Sequence, residues 1–418
     1  MKLEAPESVN YSASVLRIPA MLELPGLDNL RGVPCLGHQA LVSRDHQVGE
    51  LMIALTAETA LSQEMAYHND LHRDATLNKT EATGLLEKNR RVRAVKLRGH
   101  RSDALLLPVS SIAWTGVNPA ELKEGDCFDT LNGHLVCEKY VVPTKKGSQA
   151  QQKKLEKIWR RVDDKMLPEH VQTSQYHRER HLIPDDAELI VTAKSHGSSV
   201  RISNTIVKVK PTWKERLARK LGVRVVDQSY DYIHGSRKVI KDPANEKSAH
   251  YYGFDLWGRE GEKLRGLLPQ GTIVYGELLG WAEKGKPIQK SYDYGIPDGE
   301  CRLQVYRVAR ISPDGFLTDL GWDQVRKFCQ ERGLETVVEL WRGPHSEFNP
   351  DEWIERRFYD EGYTDCLPLP GKKLVDEGVV IRVEGDMVPG FWKIKSPTFL
   401  RLESSQIDEG VADLESIA

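Results

Sequence analysis

Two apolar runs, Leu189-Ile190-Val191 and Val200-Arg201-Ile202, bracket the segment Thr192-Ala193-Lys194-Ser195-His196-Gly197-Ser198-Ser199. The pattern predicts strand, tight turn, strand, with Gly197, Ser198 and Ser199 forming the turn. Two buried strands joined this closely commit the middle of the chain to a β core. A lysine at the mouth of such a turn lies near a floor of apolar strands. Partial desolvation and neighbouring cations then lower an amine's pKa and make it nucleophilic. A solvated lysine beside a polar turn is the simpler explanation of this stretch taken alone. The strands downstream change that balance.

The chain has 418 residues, room for one to three domains. Its 39% hydrophobic and 29% charged residues suit a globular protein with a substantial core. The net charge of −2 means that any polyanion must be met by local basic patches. The six cysteines form no CxxC pair, which argues against a zinc ribbon or disulfide framework and fits a reducing compartment. No apolar run approaches the ~20 residues of a membrane span. The N-terminus lacks the apolar core of a signal peptide, so a cytoplasmic protein is expected.

From residue 12 to about 143, short apolar runs alternate with turn formers such as Pro25-Gly26 and Asn132-Gly133. This predicts a β-rich module, residues 1–143. Within it, His68 and His72 lie four apart, and a solvated helix face explains them better than a metal site. A polar linker is expected at 144–150, followed by an amphipathic helix with Leu155, Ile158, Trp159, Val162 and Met166 on its apolar side. Together these make a connecting segment of residues 144–170. The main domain is expected over 171–405 and an acidic tail over 406–418. The short helix predicted over 211–221 carries a cationic face, for which solvation is the simpler explanation and an RNA-facing patch the alternative.

Three later stretches share the character of the central strands. Thr272–Leu278 is an apolar strand that reaches Glu277 through Gly276. Asp376-Glu377-Gly378 opens the buried strand Val379–Val383. Phe391–Ser396 alternates with period two, so Lys393 and Lys395 project to one side of a strand. Two ammonium groups so placed repel unless an anion lies between them, and a phosphate is the economical partner.

In this order, the stretches resemble the covalent nucleotidyltransferases: DNA ligases, RNA ligases and mRNA capping enzymes. Lys194-Ser195-His196-Gly197 looks like motif I, Gly235-Ser236-Arg237 like motif Ia and Tyr275-Gly276-Glu277-Leu278 like motif III. Leu303–Val308 resembles motif IIIa, Glu377–Arg382 motif IV and Trp392–Ser396 motif V. His196 points within the superfamily to ATP-dependent RNA ligases of the nick-sealing type, since DNA ligases and capping enzymes usually carry Asp there. The β-rich module before it is similar to the OB-like domain of one RNA ligase subgroup, in which it engages a nicked duplex. The implied fold is α+β, with an OB-like module followed by a nucleotidyltransferase domain of antiparallel sheets and flanking helices.

The resemblance implies three nucleotidyl transfers. Lysine attacks the α-phosphate of ATP and pyrophosphate leaves; AMP passes to an RNA 5′-phosphate; the RNA 3′-OH then displaces AMP. Lys194 takes the nucleophile's role, which requires a pKa well below ~10.4, and Gly197 belongs to its nucleotide-binding turn. Lys393 and Lys395 contact phosphate and help to lower that pKa. Glu377 is the candidate metal carboxylate, while Glu277 holds the ribose or a metal-bound water. Arg237 contacts the ribose or the incoming end, Tyr306 stacks on adenine, and His196 orients the turn. The implied cofactors are ATP and Mg²⁺ or Mn²⁺. The implied partner is RNA with 3′-OH and 5′-phosphate ends, in a nicked duplex, sealed in RNA repair by a monomer that needs no membrane. The rivals are a DNA ligase or capping-type enzyme, or a non-catalytic RNA-binding protein. The basic residues Lys88, Arg90, Arg91, Arg93, Lys96, Arg98 and Arg101 form either an RNA-gripping edge or an ordinary solvated surface.

Overall fold

A computed structural model describes residues 3–142, 161–241, 252–385 and 387–410. The expected linker at 144–150 and most of the amphipathic helix lie outside these residues, as does the end of the acidic tail. The fold is α+β, rich in sheet and with few helices. All six cysteines are free. Among the described residues, no helix is long and apolar enough to cross a membrane.

The chain divides into two compact units. One comprises Met1–Val142 with Ser174–Ile183 and Ile394–Val411, and the other Pro143–Thr173, Pro184–Lys393 and Ala412–Ala418. The first unit is therefore more than the contiguous module 1–143. Arg178, 9% exposed, supplies one reason: its guanidinium donates to Ser14 Oγ at 2.6 Å and Thr56 Oγ1 at 3.2 Å. The helix Pro397–Asp408 supplies another. Ser396 caps its N-terminus, Pro397 stands in its first turn, and Phe399 and Leu400 are buried. The expected boundary at 405/406 falls inside this helix.

The main sheet of the first unit orders its strands Leu30–Cys35, His38–Ser43, Ala104–Pro108, Leu51–Thr56, Ala13–Arg17 and Cys127–Phe128. Adjacent strands are antiparallel apart from the parallel contact of His38–Ser43 with Ala104–Pro108. The unbroken apolar run Leu51–Leu55 reflects burial on both faces. Ile53 and Leu55 enter one core with Val15 and Leu107, while Met52 and Ala54 enter another with Val33 and Val42. Asn132 and Gly133 both take positive φ, 48° and 80°, at the tip of the hairpin Thr130–Leu131/His134–Leu135, the geometry that selects Asn-Gly. The solvated-helix expectation for the two histidines is corrected. The helix Gln63–His68 ends at the first of them, and His72 lies beyond it in the core, 1% exposed.

The second unit contains two sheets. The larger runs Ile240–Lys241, Gln228–Gly235, Ser198–Lys208, Thr272–Glu283, Cys301–Ile311 and Leu317–Asp319, with two short strands paired off this path. The other places Glu188–Lys194 between Gly378–Val383 and Glu339–Pro344, with Gly390–Lys395 beyond Gly378–Val383. Its apolar face and that of the larger sheet share one core, in which Ile190 meets Val200, Ile202, Val274 and Leu278. The short helix Trp213–Lys220 is present, closed at its N-terminus by a capping box between Thr212 and Glu215, and none of its residues is buried.

Candidate active site

The lysine turn is not a hairpin. Its incoming strand, Glu188–Lys194, belongs to one sheet and its outgoing strand, Ser198–Lys208, to the other. Ser195, His196 and Gly197 make the crossing, so Ser198 and Ser199 are strand residues and not the turn residues expected. Gly197 is required by space: a Cβ there would lie 2.2 Å from Leu278 O and 2.9 Å from Glu277 Cγ.

Strand register brings the distant acids to this crossing. Lys194 pairs with Gly378, the residue after Glu377, and Ser199 pairs with Glu277. Lys194 Nζ lies 2.7 Å from Glu377 Oε1, and His196 Nδ1 lies 3.6 Å from Glu377 Oε2. Ser199 Oγ donates to Glu277 Oε2 at 3.1 Å. Both glutamates are buried, at 6% and 3% exposure, and Lys194 is largely covered. A buried carboxylate is costly unless paired, and here Lys194 meets that need at Glu377. Two carboxylates are thus held at the two ends of one three-residue turn.

The remaining candidates stand in different places. Lys393 lies on the strand next to that of Glu377. Lys395, two residues on, belongs to the first unit by its contacts, and its Nζ lies 3.0 Å from both Glu58 Oε1 and Glu403 Oε1. Arg237 follows Ser236 in the turn between Gln228–Gly235 and Ile240–Lys241. Arg201 anchors that turn from below, donating to Ser236 O at 3.0 Å and Leu167 O at 2.6 Å, with burial drawing its pKa down. Tyr306 is the extra residue of a β-bulge, between the pairs Tyr275–Arg307 and Gly276–Val305, and its hydroxyl meets His170 Nδ1 at 2.5 Å.

Sequence reasoning missed the residues that grip the turn. Gln289 Nε2 donates to Gly197 O at 2.7 Å, and Tyr294 OH accepts from His196 N at 2.7 Å. Ser195 Oγ donates to Gln304 Oε1 at 2.7 Å and lies 2.9 Å from Tyr359 OH. Gln289, Tyr292 and Tyr294 come from an irregular loop with no periodicity to mark it. The tyrosine spacing was its one visible signal.

Among the described residues, no group of three or more His, Cys, Asp or Glu side chains could hold a metal ion. Glu377 and Glu277 are the carboxylates that contact the turn residues. That set suits a divalent cation that keeps water and takes further oxygens from substrate phosphate, as Mg²⁺ does.

A family model described as RNA ligase matches residues 187–395, half of the chain. The chain belongs to the RNA ligase family. The matched segment runs from the lysine strand to Lys395, so it includes the turn and both acids. The DNA-ligase, capping and non-catalytic readings give way to this assignment. No curated protein sequence matches the chain significantly. Several solved structures share the fold. A mutant Naegleria gruberi RNA ligase in its apo form aligns with TM-score 0.59 and 13% identity, over 95% of this chain and 99% of that one. A second mutant, with ATP and Mn, gives 0.57 and 13% over the same shares. A third, with AMP and Mn, gives 0.56 and 13% over 93% and 98%.

Proposed function

We propose that this RNA ligase uses ATP to join RNA 3′-OH and 5′-phosphate ends through a lysyl-AMP on Lys194 and an adenylylated RNA 5′ end. The observation that carries the reading is the Lys194–Glu377 contact of 2.7 Å at a turn between two sheets, inside the segment matched to the family. The Naegleria gruberi relatives with ATP or AMP and Mn support the choice of nucleotide and a divalent ion. Each of the three transfers is an in-line substitution at phosphorus, so positioning and charge neutralisation do most of the work.

The reading gives each residue a part. Glu377 holds the Lys194 ammonium at rest and aims it. Glu377 and Glu277 would hold Mg²⁺ or Mn²⁺, whose charge offsets that of the phosphates and favours the free amine over the ammonium. Gly197 leaves room for the turn to pass close to the neighbouring strand. Glu277, fixed by Ser199, faces the ribose. Lys393 and Lys395, on one side of their strand by alternation, meet the phosphates. Arg237 contacts the ribose or the incoming RNA end, and Tyr306 stacks on adenine. His196, beside Glu377, orients the turn. The first unit is read as an OB-like module that engages a nicked duplex in RNA repair, and the enzyme as a cytoplasmic monomer.

The experiment is labelling of the protein with radioactive ATP or GTP in the presence of magnesium. A chase with nicks bearing RNA or DNA on each side follows. ATP-specific labelling discharged by an RNA nick supports the reading; GTP-specific labelling, or discharge by DNA alone, overturns it.

A further inference from the structure

The loop that grips the lysine turn is built at a conformational cost. Ser291 and Tyr294 both hold positive φ, 70° and 53°, within four residues, and neither is glycine. Such strain persists only where the surroundings over-determine it, and it gathers at functional sites. The strained loop carries Tyr294, and a separate segment brings Tyr359 against it. Tyr294 is 1% and Tyr359 6% exposed, with their rings 4.9 Å apart at an interplanar angle of 65°. Tyr294 OH accepts the amide of His196. A serine hydroxyl has one proton to give. Since Ser195 gives its proton to Gln304 Oε1, the contact with Tyr359 runs from the phenol to Ser195 Oγ.

The clamp also reaches the acid strand. Phe358 N, beside Tyr359, donates to Asp376 Oδ2, and Tyr292 OH donates to Val375 O. The residues just before Glu377 and the residues just after Lys194 are therefore tied to the same aromatic cluster.

We propose that Tyr294 and Tyr359 are positioning residues for the nucleophile: their hydroxyls fix the His196 amide and the Ser195 hydroxyl, and so hold Lys194 in line with Glu377. The inference rests on the proposed role of Lys194. Burial raises both phenols well above their ordinary range, so the clamp stays neutral across the working pH. Neither phenol reacts; each acts through the backbone that carries the lysine.

The test uses the full-length protein and the variants Tyr294→Phe, Tyr359→Phe and Tyr232→Phe. The first readout is amide hydrogen exchange of the peptide spanning His196, without nucleotide. Tyr294→Phe should speed exchange of that amide about tenfold, the scale of one net hydrogen bond. Tyr232→Phe, which removes a buried phenol that donates to Leu268 O away from the turn, should leave it unchanged. The second readout is single-turnover adenylylation followed by intact mass, at a temperature well below each variant's Tm. Tyr294→Phe and Tyr359→Phe should each slow the rate about tenfold with KM for ATP changed less than about twofold, as loss of alignment without loss of binding requires. Unchanged His196 exchange in Tyr294→Phe, or wild-type adenylylation rates in both clamp variants, overturns the clamp while leaving Lys194 as nucleophile. A wild-type protein that forms no adduct overturns both readings, and that outcome is seen before any variant is compared.

Discussion

The lysine turn and the basic stretch from Lys88 to Arg101 both stand out as concentrations of polar residues in the sequence, yet they are built in opposite ways. At the turn, residues 78 or more positions apart converge: Glu377 on Lys194, Glu277 on Ser199, Gln304 and Tyr359 on Ser195. In the basic stretch, the charges disperse into their own unit. Arg91 is buried, with Nη2 2.7 Å from Asp408 Oδ1 and 3.1 Å from Ser404 O. Arg93 also reaches Asp408, at 3.2 Å, and Arg101 lies 3.0 Å from Asp103. Arg90 and Arg98 donate to Leu61 O and Gly26 O. The basic stretch is therefore not one uniform surface: Arg91 is buried in its own unit, while Lys88, Lys96 and Arg98 stay exposed, open to either an RNA-gripping or a solvated role. A count of charges along a chain does not reveal which of them are already engaged.

The largest effect expected is at the turn. Glu377→Ala should slow adenylylation per folded molecule at least ~100-fold, the scale for losing one preorganised electrostatic group. A near-normal single-turnover rate would put the two regions on the same footing. At the basic stretch the reverse pattern is expected. Arg91→Ala should cost about 1.5–3 kcal/mol of stability, the range for hydrogen bonds to a charged group. Adenylylation per folded molecule should stay within about twofold, as for a change outside the reacting centre. Chemical denaturation beside active-site titration checks both halves.

Asp103 sharpens the contrast through pH. Burial raises its carboxyl, but hydrogen bonds and charge from His38, Arg101 and the Gln39 amide outweigh this and hold it below the usual carboxylate range. A depressed folded pKa contributes stability that is present above the unfolded value of about 3.9 and is lost as pH falls through the folded value. Acid should therefore destabilise the wild type below about pH 4 more than Asp103→Asn, which is already destabilised at neutral pH. Denaturation midpoints across pH 3–7, taken as an approximate window around that carboxylate range, would show parallel curves if the pair contributed nothing. The smallest effect belongs to Lys88 and Lys96, which are exposed. Replacing both with Ala should shift stability by under about 0.5 kcal/mol. It should leave the salt slope of RNA binding nearly unchanged. A fall approaching about 2, one per phosphate contact, would favour the duplex-gripping edge.

This contrast also explains what the sequence made legible. The strands of the second unit are visible because apolar runs and period-two alternation are local, and the motif order alone singles out Lys194, Glu277 and Glu377. The turn's own boundary was misjudged, since only the larger sheet, through Leu278 and Glu277, makes Ser198 and Ser199 strand residues. His72 was misplaced because burial in a loop carries no periodic signal. The phenol clamp was invisible for the same reason: Tyr294 and Tyr359 come from irregular segments whose meeting is decided by tertiary packing. Ile394–Val411 joined the first unit through contacts such as Arg91 with Ser404, which no local pattern announces.

The central claim is that Lys194 carries the nucleotide. Intact-mass analysis of the full-length protein after incubation with magnesium and ATP tests it directly, with peptide mapping of the adduct. The account predicts one added AMP, mapped to Lys194 and absent from Lys194→Ala. An adduct of unchanged yield in Lys194→Ala would contradict it.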